Sequence, residues 1–303
     1  MSKNMSKILM LNEHDLYLTY SWSSINHGIC GHTYEVIDYY LLLKNHFKTG
    51  ILLCEDITWD IFQLAITDKY DLTEEEVQDI KQNTIFSNRP QILKGSNILF
   101  TDGSAKRINE YTLFFDNIFM FACGDRNPFI AEKATVLQDY RLYPEAKNTI
   151  DYKKKINFNK YKKEVKDSDS ILLYGSKNCR AITDEAFTEI RKITDRKILC
   201  LVNEIPDPVH DIEFALMPYK NLFDNFGTYI YTPIERKWDC SPRFLAECKF
   251  YNKQVMLYDI DYFEEDLGLK YRWYDINENF DSLFLNEDDK IIEIIKERIW
   301  DTR

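Results

Sequence analysis

An arginine and a glutamate lie four positions apart just after a serine–proline pair: Ser241, Pro242, Arg243 and Glu247. Serine is a good helix N-cap and proline suits the first helical position, so the pair predicts that a helix begins here. The helix dipole and free N–H groups favour an anion at that end, and Arg243 could fork onto phosphate oxygens. Glu247 lies one turn deeper on the same face, where it could accept hydrogen bonds from ribose hydroxyls. The alternative is an ordinary capped helix with an exposed ion pair worth ~0.3–0.5 kcal/mol.

Residues able to take a proton from a reacting hydroxyl occur in the first half of the chain. Asp102 ends a predicted strand just before the glycine turn at Gly103, and Asp125 follows another predicted strand in the same way. The other candidates belong to the end of the first predicted strand and the loop after it: Glu13, Asp15 and His32. Each of these side chains, taken alone, is more often a turn former or a helix cap.

Metal chemistry is not indicated by the histidines or the cysteines. His14, His27 and His32 show no compact ligand spacing, so we predict no bound metal. The 7 cysteines are scattered, odd in number and without a C-x-x-C pair. This pattern indicates a reducing compartment, with neither a disulfide framework nor a zinc site. No signal peptide or transmembrane segment is visible, and we expect a cytoplasmic protein of a bacterial or phage-infected cell.

Strands and helices alternate regularly in the second half of the chain, which must position Arg243. The predicted strands are 171–174, 197–202, 228–231 and 254–258, and the predicted helices are 183–193, 212–223, 241–251 and a closing helix at 287–300. Regular alternation of this kind predicts right-handed crossovers and a doubly wound parallel sheet.

The first half has a similar but less regular pattern. The predicted elements are a strand at 7–11, a polar and aromatic loop at 12–31, a helix at 33–46, a strand at 50–54, a helix starting at Asp71, and strands at 96–100 and 117–122. Between about 140 and 165 the periodicity fails and lysines crowd together, as is usual for a solvated linker. We therefore place a domain boundary there, with domains 1–157 and 158–303.

The strand, loop and S-P-R-x-x-x-E helix over 228–247 resemble the donor-binding part of GT-B glycosyltransferases, and 253–259 resembles the G-K-P-V-I strand that follows it there. The chain departs from that family at Asp239, where the common E-x₇-E form has glutamate, and it lacks the glycine-rich loop before the helix. The resemblance implies an α/β fold of two doubly wound, Rossmann-like domains that face a cleft. It also implies that the closing helix packs back on the N-terminal domain.

By the same resemblance, the chain transfers a hexose or pentose from a nucleoside-diphosphate sugar, such as a UDP sugar, to a hydroxyl acceptor. It needs no resident cofactor or metal. The implied donor-binding residues of the second domain are Gly175, Ser176, Lys177 and Arg180, together with Ser241, Arg243 and Glu247. In the N-terminal domain, Gly28 and Gly31 take the place of a glycine loop that faces the donor. A plain turn explains Lys177 and Arg180 equally well.

Two acceptors remain open, a glycan and a hydroxymethylated pyrimidine in phage DNA. The aromatic segment 17–27 could approach an extruded base, whereas the net charge of -11 argues against DNA as a partner. Other hypotheses are a nucleotide-sugar epimerase and a non-catalytic nucleotide-binding protein. A dehydrogenase is disfavoured, because no G-x-G-x-x-G follows the first predicted strand.

Overall fold

The computed structural model describes residues 14–20, 29, 31–87, 93, 95–101, 114–121, 134–138, 148–152, 156–175, 184–202, 213–214, 222–231, 243–257 and 289–300. The chain divides into two compact units. The first unit comprises Met1–Lys160 with Leu283–Arg303, and the second comprises Tyr161–Ser282.

The described strands are β1 Leu16–Thr19, β2 Thr49–Leu53, β3 Thr84–Phe86, β4 Ser96–Phe100, β5 Phe115–Phe121, β6 Thr135–Gln138, β7 Thr149–Asp151, β8 Ile171–Gly175, β9 Ile198–Val202, β10 Glu213–Phe214, β11 Thr228–Tyr231 and β12 Gln254–Leu257. The described α-helices are α1 Gly31–Leu43, α2 Trp59–Lys69, α3 Glu74–Gln82, α4 Asp184–Ile193, α5 Arg243–Phe250 and α6 Asp289–Trp300. The prediction of an α/β fold is confirmed.

Each unit is built on one parallel sheet. In the first unit the strand order is β3-β2-β1-β4-β5-β6-β7, and every pairing is parallel. In the second unit the order is β10-β9-β8-β11-β12, again with parallel pairings throughout. Both orders reverse direction beside the first strand, which is the Rossmann-type, doubly wound arrangement. Ligands of such sheets bind at the carboxyl edge where the order reverses, between β1 and β4 or between β8 and β11.

Buried apolar residues form the core of both sheets. All residues of β1, β2 and β4 are buried, because a parallel sheet of this type is covered on both faces. Helix α6, from the end of the chain, belongs to the first unit. There its Lys290 ammonium donates to the carbonyl of Asp151, and Trp300 lies 6.4 Å from the ring of Phe47.

A hydrogen-bond network joins four elements at the amino edge of the first sheet. His14, just before β1, places its ring nitrogens 3.1 Å from the Tyr17 hydroxyl and 2.8 Å from Oδ1 of Asn83. The Asn83 amide donates to the Tyr40 hydroxyl at 3.0 Å, and that hydroxyl donates to Asp79 at 3.0 Å. His14 therefore has a structural position that ties β1, α1, α3 and the start of β3 together, at the edge opposite to the ligand-binding one.

The beginning of the first unit differs from the sequence-based prediction. Strand β1 lies inside the segment 12–31 that was predicted to be a loop, and the predicted strand 7–11 falls outside the described residues. Asp15 consequently precedes a strand, and its carboxylate accepts a hydrogen bond from the backbone N–H of Lys48 at 3.2 Å. The prediction that Asp15 lies at a carboxyl strand end is therefore wrong. A four-residue strand with polar flanks gives little local signal, whereas its pairing with β2 and β4 depends on distant segments.

Other differences concern short or irregular elements. Glu213–Phe214 forms strand β10 beside β9, so the predicted helix 212–223 is wrong at those residues. Helix α2 and strands β3, β6 and β7 were not predicted, and β7 lies within the lysine-rich segment that was interpreted as a linker. These strands are three or four residues long and are defined by their partners in the sheet rather than by a pattern of their own.

Helix α3 begins at Glu74, three residues after the predicted start at Asp71, and Thr73 caps it in a capping box. The Thr73 hydroxyl accepts from the N–H of Glu76 at 3.2 Å, and Glu76 accepts from the N–H of Thr73 at 3.0 Å. Lys160 adds a hydrogen bond to the same carboxylate at 2.7 Å. Burial alone would raise the pKa of Glu76, but the hydrogen bonds from Lys160 and from the Thr73 backbone outweigh it and lower the pKa.

We expect Glu76→Gln to lower the free energy of unfolding by about 1 kcal/mol at pH 7. A carboxylate with a lowered folded-state pKa contributes fully above its unfolded pKa of about 4.3, and this contribution is lost as the pH falls through the folded-state pKa. The difference between wild type and variant should therefore shrink below about pH 4, as measured by urea unfolding at pH 7 and pH 3. Glu74→Gln, an exposed change in the same first turn, is the matched control. A difference that is independent of pH would contradict the role of the charge.

Candidate functional site

The second unit places α5 directly after the strand at which its sheet reverses. Because β11 and β12 are parallel neighbours, the helix between them must run back from the carboxyl edge to the amino edge. The amino end of α5 therefore lies at the carboxyl edge, where ligands of this fold bind. Arg243 is the first residue of this helix, as the Ser241–Pro242 signal predicted to within two residues.

Arg243, Glu247 and Tyr161 form a buried polar triad. The Arg243 Nε donates to Glu247 Oε1 at 2.8 Å, and Nη2 of the same guanidinium donates to the Tyr161 hydroxyl. The Tyr161 hydroxyl in turn lies 3.4 Å from Glu247 Oε1 and donates to it. Only 7% of the Arg243 side chain and none of the Glu247 side chain are exposed. The alternative of an exposed surface ion pair is therefore wrong, because this pair is buried.

Aromatic rings surround the helix that carries the triad. Phe244 lies 5.3 Å from Phe223, 6.2 Å from Phe226 and 4.8 Å from Tyr229, measured between ring centroids. Phe250 packs edge-on against Tyr161 at 5.8 Å. Residues 243–248 of α5 are all buried, so the helix has no solvent-facing side over this length. The aromatic packing fixes the position of the helix, and with it the position of the charged pair.

Two further buried polar groups, Cys248 and Lys253, belong to α5 and to the turn that follows it. The Lys253 ammonium donates to the carbonyl of Lys166 at 3.1 Å and lies 5.7 Å from the centroid of the Phe226 ring. Burial lowers the pKa of Lys253, against the opposing effect of nearby carboxylates. Burial, and then the negative charge of Glu247, raise the pKa of the Cys248 thiol well above its usual value. Cys248 is thus a neutral core residue and not a nucleophile.

Apart from Gly31 of the first unit, the other residues predicted for donor binding lie at the same edge or outside the described residues. Gly175 is the last residue of β8 and pairs with Val202 of β9, so it occupies the carboxyl edge at the reversal point. The predicted residues Ser176, Lys177, Arg180, Ser241 and Gly28 lie outside the described residues. Among the predicted donor-binding residues, the structure brings Arg243 and Glu247 into contact with each other.

Two of the candidate bases, Asp15 and His32, lie within the described residues, and Asp15 precedes β1 at the amino edge. His32, in the first turn of α1, places Nδ1 3.0 Å from Oε2 of Glu35. Gly31, predicted to belong to a glycine loop, is the first residue of that helix. The candidates Glu13, Asp102 and Asp125 lie outside the described residues.

Two residues that contact the predicted site residues, Tyr161 and Glu35, were not predicted from the sequence. Tyr161 stands 82 positions before Arg243, in the lysine-rich segment, and no local pattern could connect the two. Glu35 follows His32 by three positions within a predicted helix, so the i,i+3 spacing was a usable signal.

The described residues hold neither a metal-binding cluster nor a membrane-spanning helix. Across these parts of the chain, no three or more histidines, cysteines or acidic residues come together as a metal site would require. No α-helix in the described ranges has the length and apolar character needed to cross a bilayer. The chain matches no protein-family model, no curated protein and no solved structure with significance.

Proposed function

We propose that the chain is a glycosyltransferase of the GT-B type, which transfers a sugar from a nucleoside-diphosphate donor to a hydroxyl acceptor. The second unit binds the nucleotide at the carboxyl edge of its sheet, between β8 and β11. The observation that carries the proposal is the buried pair of Arg243 and Glu247 in the first turns of the helix that follows β11.

The location of the pair supports a binding role. A reversal of strand order creates a crevice at the carboxyl edge, and the amino end of the helix there attracts phosphate. Arg243 is at that end, and its planar guanidinium is suited to bidentate contacts with phosphate. Glu247, one turn further in, has no exposed surface, and its role in this proposal is to hold the Arg243 guanidinium in a fixed orientation.

The energetics of the pair support the same role. Removing two charges from water costs several kcal/mol per ion, and apolar residues of similar volume often serve a core equally well. Packing alone therefore does not explain a buried ion pair at the ligand-binding edge of a sheet. A function in binding a charged ligand accounts for its presence there.

The architecture agrees with the proposal at a coarser level. Two units, each with a parallel sheet of Rossmann-type strand order, are what a GT-B enzyme requires. In this proposal the first unit binds the acceptor, which is either a glycan or a hydroxymethylated pyrimidine in DNA.

The test is nucleotide binding by the full chain. We expect UDP or another nucleoside diphosphate to stabilise the wild-type protein against thermal unfolding, by about 2.7 kcal/mol at a ligand concentration of 100 Kd. Glu247→Gln, which removes the charge but keeps the shape, should abolish this effect. Glu189→Gln changes a half-exposed glutamate of α4 that pairs with Lys192, and it should retain the effect. Circular dichroism of each variant establishes that it is folded.

The outcomes of these experiments distinguish a glycosyltransferase from a protein that binds no nucleotide and from an epimerase. A wild-type protein that is stabilised by none of UDP, GDP, CDP and ADP would refute the proposed function. If binding is found, incubation with radiolabelled sugar nucleotides compares transfer to hydroxymethylated DNA with transfer to glycans. Conversion of the sugar nucleotide without any acceptor would indicate an epimerase instead.

A further inference from the structure

A polar cavity of about 620 Å³ lies in the first unit, beside the end of α1. It is lined by the last turn of α1 with the residues that follow it, by Glu76 of α3, by the short helical turn Phe158–Lys160 and by the start of α6. The turn after α1 leads into the amino end of β2, so this part of the cavity lies at the amino edge of the sheet. All of its lining residues belong to the first unit, and the cavity is separate from the candidate nucleotide site of the second unit.

Ion pairs and a backbone hydrogen bond hold the elements around the cavity together. The Lys160 ammonium lies 2.7 Å from Oε1 of Glu76, and the Lys44 ammonium lies 2.9 Å from Oδ2 of Asp79. These pairs join the short helical turn and the end of α1 to α3. The backbone N–H of Asp71 also donates to the carbonyl of Lys160 at 2.7 Å. The shape of the cavity is therefore set by the fold, as a preorganised binding site requires.

The charged side chains around the cavity balance each other. Among the described residues that line it are two lysines, Lys44 and Lys160, and two acidic residues, Glu76 and Asp289. Because the ammonium groups lie 2.7–2.9 Å from the carboxylates of Glu76 and Asp79, an anionic ligand would compete with these carboxylates for the same donors. An ammonium has three N–H donors and a carboxylate has several lone pairs, so both groups can also bond to a neutral ligand. The lining thus favours a neutral, polar ligand over an anion.

Amide and apolar side chains complete the lining. Asn45, Asn157 and Asn159 lie around the cavity, and Oδ1 of Asn157 accepts from the backbone N–H of Asn159 at 3.2 Å. A side-chain amide both donates and accepts hydrogen bonds, as a hydroxyl group does. Leu41 and Ile292 supply a buried apolar surface. This combination is complementary to a sugar ring, which carries hydroxyl groups around its edge and C–H groups on its faces.

We propose that this cavity binds a neutral saccharide, and this inference does not depend on the proposed glycosyl transfer. The carboxylates of Glu76 and Asp289 accept from the sugar hydroxyls, and the asparagine amides and lysine ammonium groups donate to its oxygens. Leu41 and Ile292 contact the C–H face of the ring. The volume falls within the range of about 300–1,000 Å³ that is usual for small-molecule sites and leaves room for a mono- or disaccharide. Because ligands of a doubly wound sheet react at its carboxyl edge, the saccharide at this cavity is bound without being converted.

Saturation-transfer difference NMR of the full chain tests the class of ligand. The neutral probes are glucose, N-acetylglucosamine, maltose and lactose, and the charged probes are citrate and glutamate. We expect transfer to at least one of the four saccharides and none to citrate or glutamate. Absence of transfer to every saccharide would overturn the inference, and so would transfer to a charged probe alone.

A double variant tests the role of the cavity. Asn45→Ala with Asn159→Ala removes two exposed amides of the lining, and we expect it to weaken saccharide binding by about 10-fold or more. Asn148→Ala changes an exposed asparagine of the same unit outside the cavity, and it should leave the affinity unchanged. Circular dichroism establishes that both proteins are folded. A double variant that is folded and keeps the wild-type affinity would overturn the inference.

Methyl NMR spectra locate the bound saccharide. Its addition should shift the methyl resonances of Leu41, Leu42 and Ile292, whereas those of Ile230 in β11 of the second unit should stay in place. Shifts at Ile230 without shifts at Ile292 would overturn the inference. These measurements use no nucleotide, so their failure is distinguishable from that of the proposed function, which depends on stabilisation by nucleoside diphosphates.

Discussion

Replacing Arg243 with alanine is expected to lower the free energy of unfolding of the second unit by about 3–5 kcal/mol. The substitution leaves the Glu247 carboxylate buried, with no exposed surface and without the guanidinium that donates to it. Urea unfolding followed by circular dichroism measures the loss, and hydrogen exchange at β11 and β12 locates it in the second unit. Arg191→Ala, which removes an exposed arginine of α4, should change stability by less than about 0.5 kcal/mol. A loss below about 1 kcal/mol for Arg243→Ala would show that the pair is not buried as described.

A double variant separates stability from nucleotide binding. Arg243→Met with Glu247→Leu removes both charges and fills the same space with apolar groups, which is often neutral or stabilising in a protein core. We therefore expect the double variant to recover most of the stability that Arg243→Ala loses. Stabilisation by nucleoside diphosphates should be absent in the double variant, because the proposed phosphate-binding guanidinium and the carboxylate that orients it are both gone. Recovery of nucleotide binding together with stability would refute the role of the pair in binding.

Replacing Gly227 with alanine is expected to destabilise the second unit by about 3 kcal/mol. A β-carbon at this position would lie 2.1 Å from the carbonyl oxygen of Ser168. That oxygen belongs to the backbone, and the segment is held by hydrogen bonds from Gly227 N to Ser170 and from the Ser168 hydroxyl to Asn225. The chain before β8 must therefore move away from β11. Urea unfolding measures the cost, and hydrogen exchange should increase in both strands.

Gly95→Ala is the matched control for this substitution. A β-carbon at Gly95 would meet no atom within 4 Å, but its φ of +82° is unfavourable for any residue with a side chain. The expected cost is about 1–2 kcal/mol, located in the first unit. Equal effects at Gly95 and Gly227 would contradict the steric argument, because only Gly227 meets a backbone atom.

Much of the second sheet could be predicted from local patterns. Strands β8, β9, β11 and β12 are apolar runs of four or five residues, and their predicted bounds agree with the structure to within one residue. Strands buried on both faces have this composition, so they are visible in a sequence. Strands β1, β6, β7 and β10 have two to four residues, and their existence depends on partners that local sequence does not specify.

The candidate site could likewise be predicted only in part. The sequence alone determined that Arg243 and Glu247 share a helix face, because residues four apart on a helix are neighbours and Ser241–Pro242 marks the helix start. Only the tertiary structure decided that the pair is buried and bonded to the hydroxyl of Tyr161, which stands 82 positions away from Arg243. Burial and contacts between distant segments depend on how strands pair and helices pack, whereas helical spacing is a property of the local chain.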